Sequence, residues 1–323
     1  MWYDFTQMYF HMRKDGIDMF IADAHCDTLY AIGIDRKAPE ACMVTPGTLA
    51  AGGVGLQTFA LFAGGKGPQG TPYADGLKML AATEKVGVDI LTGDLPDTPP
   101  ASPTGVFSCE GGEMFEGSLE RFYEFQGQLR LRMIALTWNH ENEIGHPAAE
   151  GPKGGLKPFG FELLKAMDAE GVLADASHLN EAGFWDVCER AALPPIASHS
   201  DCRWLCDVPR NLRKEQVKAI VERGGFIGVN FYSCFLREDG RATLDDVVRH
   251  IDELCELGAE HAVGFGSDFD GIESWPEGLA HPGDFPNLLD ALRRRGYTQA
   301  QIEGFAGLNL WNLLKRAEAA RKA

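Results

Sequence analysis

Short runs of β-branched and aliphatic residues recur along the chain at 19–24, 54–62, 106–109, 133–138, 172–176, 195–198, 226–230 and 262–266. Within each run the apolar positions are nearly continuous, the pattern of strands buried on both faces. Between most of them lie longer stretches whose apolar residues return every three or four positions. Examples are 159–170, 181–192, 214–223 and 244–257, each with a polar face left for solvent. Buried strands alternating with amphipathic helices predict βα units and a parallel sheet. Eight such units predict an α/β fold, a (β/α)8 barrel of the TIM type forming a single domain over residues 19–323, in preference to an open sheet. Residues 1–18 show no clear element and are read as an N-terminal extension, with Met19 as an alternative start. The glycine-rich stretch 64–70 lacks the GxxxxGK[ST] order and no convincing helix follows it at once, so it reads as a flexible loop and not as a phosphate cradle.

Composition narrows the class. The 323 residues are 45% apolar and 24% charged, enough for a large core. Against 30 basic side chains stand 47 acidic ones, a formal charge of −17 that repels nucleic acid and anionic membrane surfaces. No apolar run approaches the roughly 18 residues of a membrane span. The first twenty residues interleave charge with apolar positions, unlike a signal peptide. Eight cysteines, the nearest pair being Cys202 and Cys206 at CxxxC spacing, predict reduced and mostly buried thiols. A cytoplasmic enzyme or binding protein is expected, with neither nucleic acid nor membrane as partner.

Chemistry-bearing residues stand where the predicted strands end. The first strand ends in His25-Cys26-Asp27, the third at Glu110, the fifth at His178, the sixth at His199 and the eighth at Asp268. Barrel active sites form at the C-terminal ends of strands, so five strands deliver these groups to one rim. Strand alternation turns His25 and Asp27 to one face and Cys26 away. Each residue also has a plain structural reading. Glu110 suits a loop carboxylate or a helix cap, and Asp268 with Asp270 suits an Asx turn closed by Gly271. Six ligand-type residues exceed what one tetrahedral zinc with an open position needs, and two divalent ions sharing a carboxylate would use them all. Imidazole and carboxylate without thiolate suits Zn²⁺ and does not exclude Mn²⁺, Co²⁺ or Fe²⁺. Arg210, after the sixth strand, suits a planar substrate carboxylate or a surface ion pair. Tyr232 either lines the pocket or packs beside it.

These residues sit in Ala24-His25-Cys26-Asp27-Thr28-Leu29, Cys109-Glu110-Gly111-Gly112, Asp175-Ala176-Ser177-His178, Ala197-Ser198-His199-Ser200, Val208-Pro209-Arg210-Asn211-Leu212 and Gly266-Ser267-Asp268-Phe269-Asp270-Gly271. In that order they resemble the membrane (renal) dipeptidase family of binuclear zinc peptidases, a branch of the amidohydrolase-type barrels. The stretches Gly155-Leu156-Lys157-Pro158-Phe159-Gly160 and Val229-Asn230-Phe231-Tyr232 resemble it too, so the likeness covers nearly the whole chain. The resemblance implies that His25 and Asp27 bind one zinc, His178 and His199 the other, and Glu110 both. Asp268 then lies near the first metal and handles the proton of the attacking, metal-bridging hydroxide. Arg210 holds the C-terminal carboxylate of a dipeptide. Tolerance of a C-terminal D-residue and a homodimer are further implications. Where animal members carry a histidine after the fourth strand, the segment here reads Leu136-Thr137-Trp138-Asn139-His140, with tryptophan at that place and Asn139 or His140 as alternative substrate contacts. Two other readings remain at this point: a related hydrolase of N-acylamino acids or lactams, and a non-catalytic protein that keeps the metal site for binding.

Overall fold

In the computed structural model, which describes residues 19–64 and 71–321, eight parallel strands close into a ring. They are β1 (Ile21–Asp23), β2 (Val54–Phe62), β3 (Thr104–Glu110), β4 (Met133–Ala135), β5 (Leu173–Asp175), β6 (Ile196–Ala197), β7 (Phe226–Val229) and β8 (Val263–Phe265). Each pairs with the next, and β8 returns to β1 through Phe265 and Asp23. The expected (β/α)8 barrel is therefore present. A two-residue strand, Asp89–Ile90, adds to the start of β3, which no sequence pattern announces.

The four expected helices run over Pro158–Glu170, Glu181–Arg190, Lys214–Glu222 and Leu244–Glu256. Local chemistry sets their ends. Gly171, at φ 68°, terminates the first, and the Asn180 side chain accepts the Gly183 N–H at the head of the second. Thr243 and Asp246 form a capping box on the fourth, which buries Val247, Val248, Ile251 and Leu254. One expectation is overturned: helix Pro72–Ala82 follows the glycine-rich stretch directly, with Thr71 accepting the Ala74 N–H. Gly76 within it disguised the periodicity, and it is required there because a Cβ would come within 2.9 Å of the Phe125 ring. The extension 1–18 and residues 65–70 of the glycine-rich stretch lie outside the described residues.

Apolar side chains fill two zones, the larger between strands and helices. The second gathers Ala22, Leu56, Val106, Met133, Leu173, Ile196 and Phe226, from seven strands, around Leu310, Trp311, Leu313 and Leu314 of helix Asn309–Arg321. This helix lies across the strand starts. Asn309 donates to the Val263 carbonyl, Arg316 to that of Gly224 and Lys315 to that of Leu95, while Glu318 meets Arg132 at 3.0 Å. The N-terminal end of the barrel is thereby covered, which leaves the opposite rim for chemistry.

Candidate metal centre

Past β1 the chain continues through a bridge between Cys26 and Phe269, which sends the Cys26 side chain into the outer core. His25 and Asp27 face the other way, with Nε2 and Oδ2 3.5 Å apart. Glu110 is the last residue of β3, level with Ala135 and Asp175 on the two following strands. His178 and Asp268 leave β5 and β8 in left-handed backbone conformations, φ 68° and 64°. Such conformations cost about 1–3 kcal/mol each and persist where the surroundings enforce them. His199 follows β6 and is fully buried.

These turns bring all six residues together. One Glu110 oxygen lies 3.6 Å from His25 Nε2; the other lies 2.7 Å from His178 Nε2 and 3.5 Å from His199 Nε2. The two Nε2 atoms of His178 and His199 are 3.0 Å apart, the His25 ring stacks on His199 at 3.9 Å, and Asp268 Oδ1 is 3.7 Å from His25 Nε2. His25, Glu110 and His199 form one compact donor group, and His25, Asp27 and Asp268 another. Of the two aspartates in the Asp268-Phe269-Asp270 turn, Asp270 is the structural one, accepting from the Thr28 hydroxyl and the Met43 and Val44 N–H groups.

The outer ring nitrogens are held as ligand histidines require. His178 Nδ1 meets Asn139 Oδ1 at 2.9 Å, so it carries the proton and Nε2 keeps its lone pair. His199 Nδ1 meets the Ser198 hydroxyl at 2.7 Å, and that hydroxyl donates to Asp175, which also accepts the Ser177 and Ser198 N–H groups at 2.9 Å. Burial, with the Arg210 charge, pushes His178 down to about 3; burial and the neighbouring His25 lower His199 too. Both rings are neutral near pH 7. Burial opposes ionisation of Glu110, but the three histidines outweigh it and hold its carboxyl well below the usual range. Burial and the Glu110 charge push Asp27 well up.

The donor set fits divalent metal. His25 Nε2 and Asp27 Oδ1 are buried without a hydrogen-bond partner among the described residues, a costly state that a cation would relieve. The neutral imidazoles of His178 and His199, with lone pairs turned toward crowded buried carboxylates, are what such an ion selects.

The substrate candidates separate. Arg210 is buried beside His199 and donates to its carbonyl and to the Ser200 hydroxyl, both at 3.4 Å, with Nε unpartnered among the described residues. Asn139 is occupied by His178. His140 points outward, its ring 59% exposed and 3.8 Å from Glu150, so the structure does not bring it to the cluster. Trp138, half-buried, stands between them, packed on Phe62 at 4.7 Å and 6.4 Å from the His178 ring. The Tyr232 ring packs on Phe235 at 4.9 Å, and burial, with Cys234 and Glu273 nearby, pushes its hydroxyl pKa up.

Several buried polar residues escape a reading of the sequence. Asp23 binds the Ser267 N–H and hydroxyl and the Gln57 amide, tying the end of β1 to the middle of β2 and to the turn after β8. Asp175 and Ser198 steady His199, and the Asn230 amide donates to Asp268 Oδ2 at 2.9 Å. Their one signal is a polar residue at or beside the end of an apolar run.

A family model described as membrane dipeptidase (peptidase family M19) matches residues 17–323. A Klebsiella pneumoniae protein encoded in the pqqA 5′ region, described as uncharacterized, is 37% identical over 223 residues, 65% of this chain and 80% of that one. An uncharacterized dipeptidase of Schizosaccharomyces pombe is 35% identical over 197 residues, 59% of this chain but only 47% of its own length. The crystal structure of a Rhodobacter sphaeroides metallo peptidase, liganded with a phosphinate mimic of the dipeptide L-Ala-D-Ala, superposes with a TM-score of 0.83 at 25% identity, covering 94% of this chain and all of that one. With its barrel, its rim of histidines and carboxylates, and a family match over nearly its full length, the chain belongs to the membrane dipeptidase family of metallopeptidases, family M19.

Proposed function

We propose that the protein hydrolyses dipeptides with a free C-terminal carboxylate, using two divalent ions, zinc first among them. His25 and Asp27 would hold one ion, His178 and His199 the other, and Glu110 both. The carrying observation is the Glu110 carboxylate, one oxygen toward His25 and the other toward His178 and His199. When bound, such ions polarise a carbonyl and make water a nucleophile near neutral pH.

The chain's own residues do the rest. Arg210, with spare donors in a dry site, binds the substrate carboxylate and fixes its register. Asp268 Oδ1 accepts the proton of the attacking water and passes it to the leaving amine, acting as base and then acid. Asn139, and Ser198 with Asp175, keep the two imidazoles in one tautomer. The dipeptide mimic on the Rhodobacter protein ends in a D-residue, which supports tolerance of D-residues at that position here. All eight cysteines are free, which supports a reducing, cytoplasmic setting. No described helix is long and apolar enough to cross a membrane. The homodimer rests on family resemblance and is read directly by sedimentation velocity.

The test is hydrolysis of L,L and L,D dipeptides by zinc-loaded and chelator-stripped protein. Cleavage that chelation abolishes and zinc restores is expected. No cleavage by protein shown to hold two ions would overturn the reading and turn attention to N-acylamino acids and lactams.

A further inference from the structure

Asn230 stands one position past β7 and is fully buried. Three hydrogen bonds define it. Its backbone N–H donates to Asp201 Oδ1 at 3.2 Å, its side-chain Oδ1 accepts the Tyr232 N–H at 2.6 Å, and its Nδ2 donates to Asp268 Oδ2 at 2.9 Å. The second bond decides the orientation of the amide. A backbone N–H can only donate, so the oxygen of Asn230 must face Tyr232 and the NH2 must face Asp268. Asp201, the other anchor, is itself locked: its N–H donates to Asn211 Oδ1 and its carbonyl accepts the Leu212 N–H, both in the loop that carries Arg210.

The consequence falls on Asp268. An NH2 group cannot take up a proton here, so the oxygen it holds is occupied whether or not the carboxyl is ionised. Oδ1, 3.7 Å from His25 Nε2, is the oxygen left for proton exchange. The Asp268 backbone is in the left-handed region, a conformation that persists where its surroundings enforce it. We propose that Asn230 is a positioning residue that fixes the Asp268 carboxylate through Oδ2, directs proton transfer to Oδ1, and joins that carboxylate through Asp201 to the loop bearing Arg210. This rests on the proposed role of Asp268 in peptide hydrolysis.

The test compares Asn230→Asp with Asn230→Ala in zinc-loaded protein. The aspartate has the same shape and still accepts the Tyr232 N–H, but it replaces the donor facing Asp268 with an oxygen. Both variants are expected to lose at least roughly tenfold in kcat, in the range ascribed to misdirected proton transfer, with KM within about threefold and zinc content as in the parent. Near-parental kcat in Asn230→Asp would show that shape alone matters and overturn the proposal. Loss that tracks lost zinc or lowered Tm in Asn230→Asp would do the same. A readout apart from turnover is the side-chain amide resonance of Asn230, assigned by its disappearance in Asn230→Asp. It should move when Asp268 is changed to alanine, and an unmoved resonance would refute the contact. If the parent protein cleaves no dipeptide, the proposed reaction fails, and the amide resonance still decides the contact on its own.

Discussion

Replacing Arg210 with methionine separates binding from folding in a single side chain. The guanidinium is only 8% exposed, yet its two hydrogen bonds, to the His199 carbonyl and the Ser200 hydroxyl, are both 3.4 Å long. Arginine carries five N–H donors, so most of its capacity is unspent. Burial pulls its pKa down, and the Asp268 and Glu110 charges act against that loss. Truncating one member of a buried, hydrogen-bonded charge pair costs about 2–5 kcal/mol, which is roughly 30- to 4,000-fold in kcat/KM. Arg210→Met should lose that much on a dipeptide with a free carboxylate, and mostly through KM. On the same dipeptide amidated at its C-terminus it should lose little, because the partner is already missing. The assay is kcat/KM for both proteins on both substrates, with the double difference as the coupling energy. Tm should hold or rise, since removing a poorly partnered buried cation relieves desolvation. Equal losses on the acid and the amide would refute the clamp.

Asp268→Asn should keep its metals, measured by elemental analysis, and lose roughly 10²–10⁴ in kcat; unchanged turnover in the loaded variant would remove it from proton transfer. Ser198→Ala removes the link between His199 and Asp175 and should weaken zinc binding by roughly 10–100-fold in chelator competition, while unaltered affinity would mean the link is idle. In metal-free protein His178 is held at about 3, whereas an unfolded histidine titrates near 6.5, so the unfolded chain binds the extra proton between those values and stability falls as pH drops through that window. His178→Asn should flatten the melting-temperature profile there by the contribution of about one proton, and parallel profiles would contradict the assignment.

The barrel was legible because its strands are buried on both faces and its helices keep one wet face, so periodicity alone told them apart. The four expected helices, Leu244–Glu256 among them, end within two residues of their predicted bounds at both termini. Helix Pro72–Ala82 was not legible, because Gly76 answers to Phe125, a neighbour 49 positions away that no local pattern reveals. The six clustered residues were visible because strand ends meet at one rim in this fold. Asn139 and His140 were not distinguishable in sequence: adjacent in the chain, they diverge in space, one to His178 and the other to Glu150. Asn230, Asp175 and Ser198 act through another residue, and the bonds that give them their roles run from β5 to β6 and from β7 to the turn after β8.

Helix Asn309–Arg321 bears on how the molecule is made. The ribosome delivers β1 first, but the partner that closes its open edge, β8, comes near the end, and the helix that covers the strand starts comes later still. At about 5–20 residues per second the interval between β1 and β8 is roughly 10–50 s. Through it the nascent chain carries unpaired strand edges, and the apolar side chains of Leu56, Met133, Leu173 and Phe226 stay uncovered as each in turn is made. The ring therefore closes only after β8 has been made, late in synthesis. Chains stalled before Phe265 should remain protease-sensitive on the ribosome, and those with Arg321 clear of the exit tunnel should not.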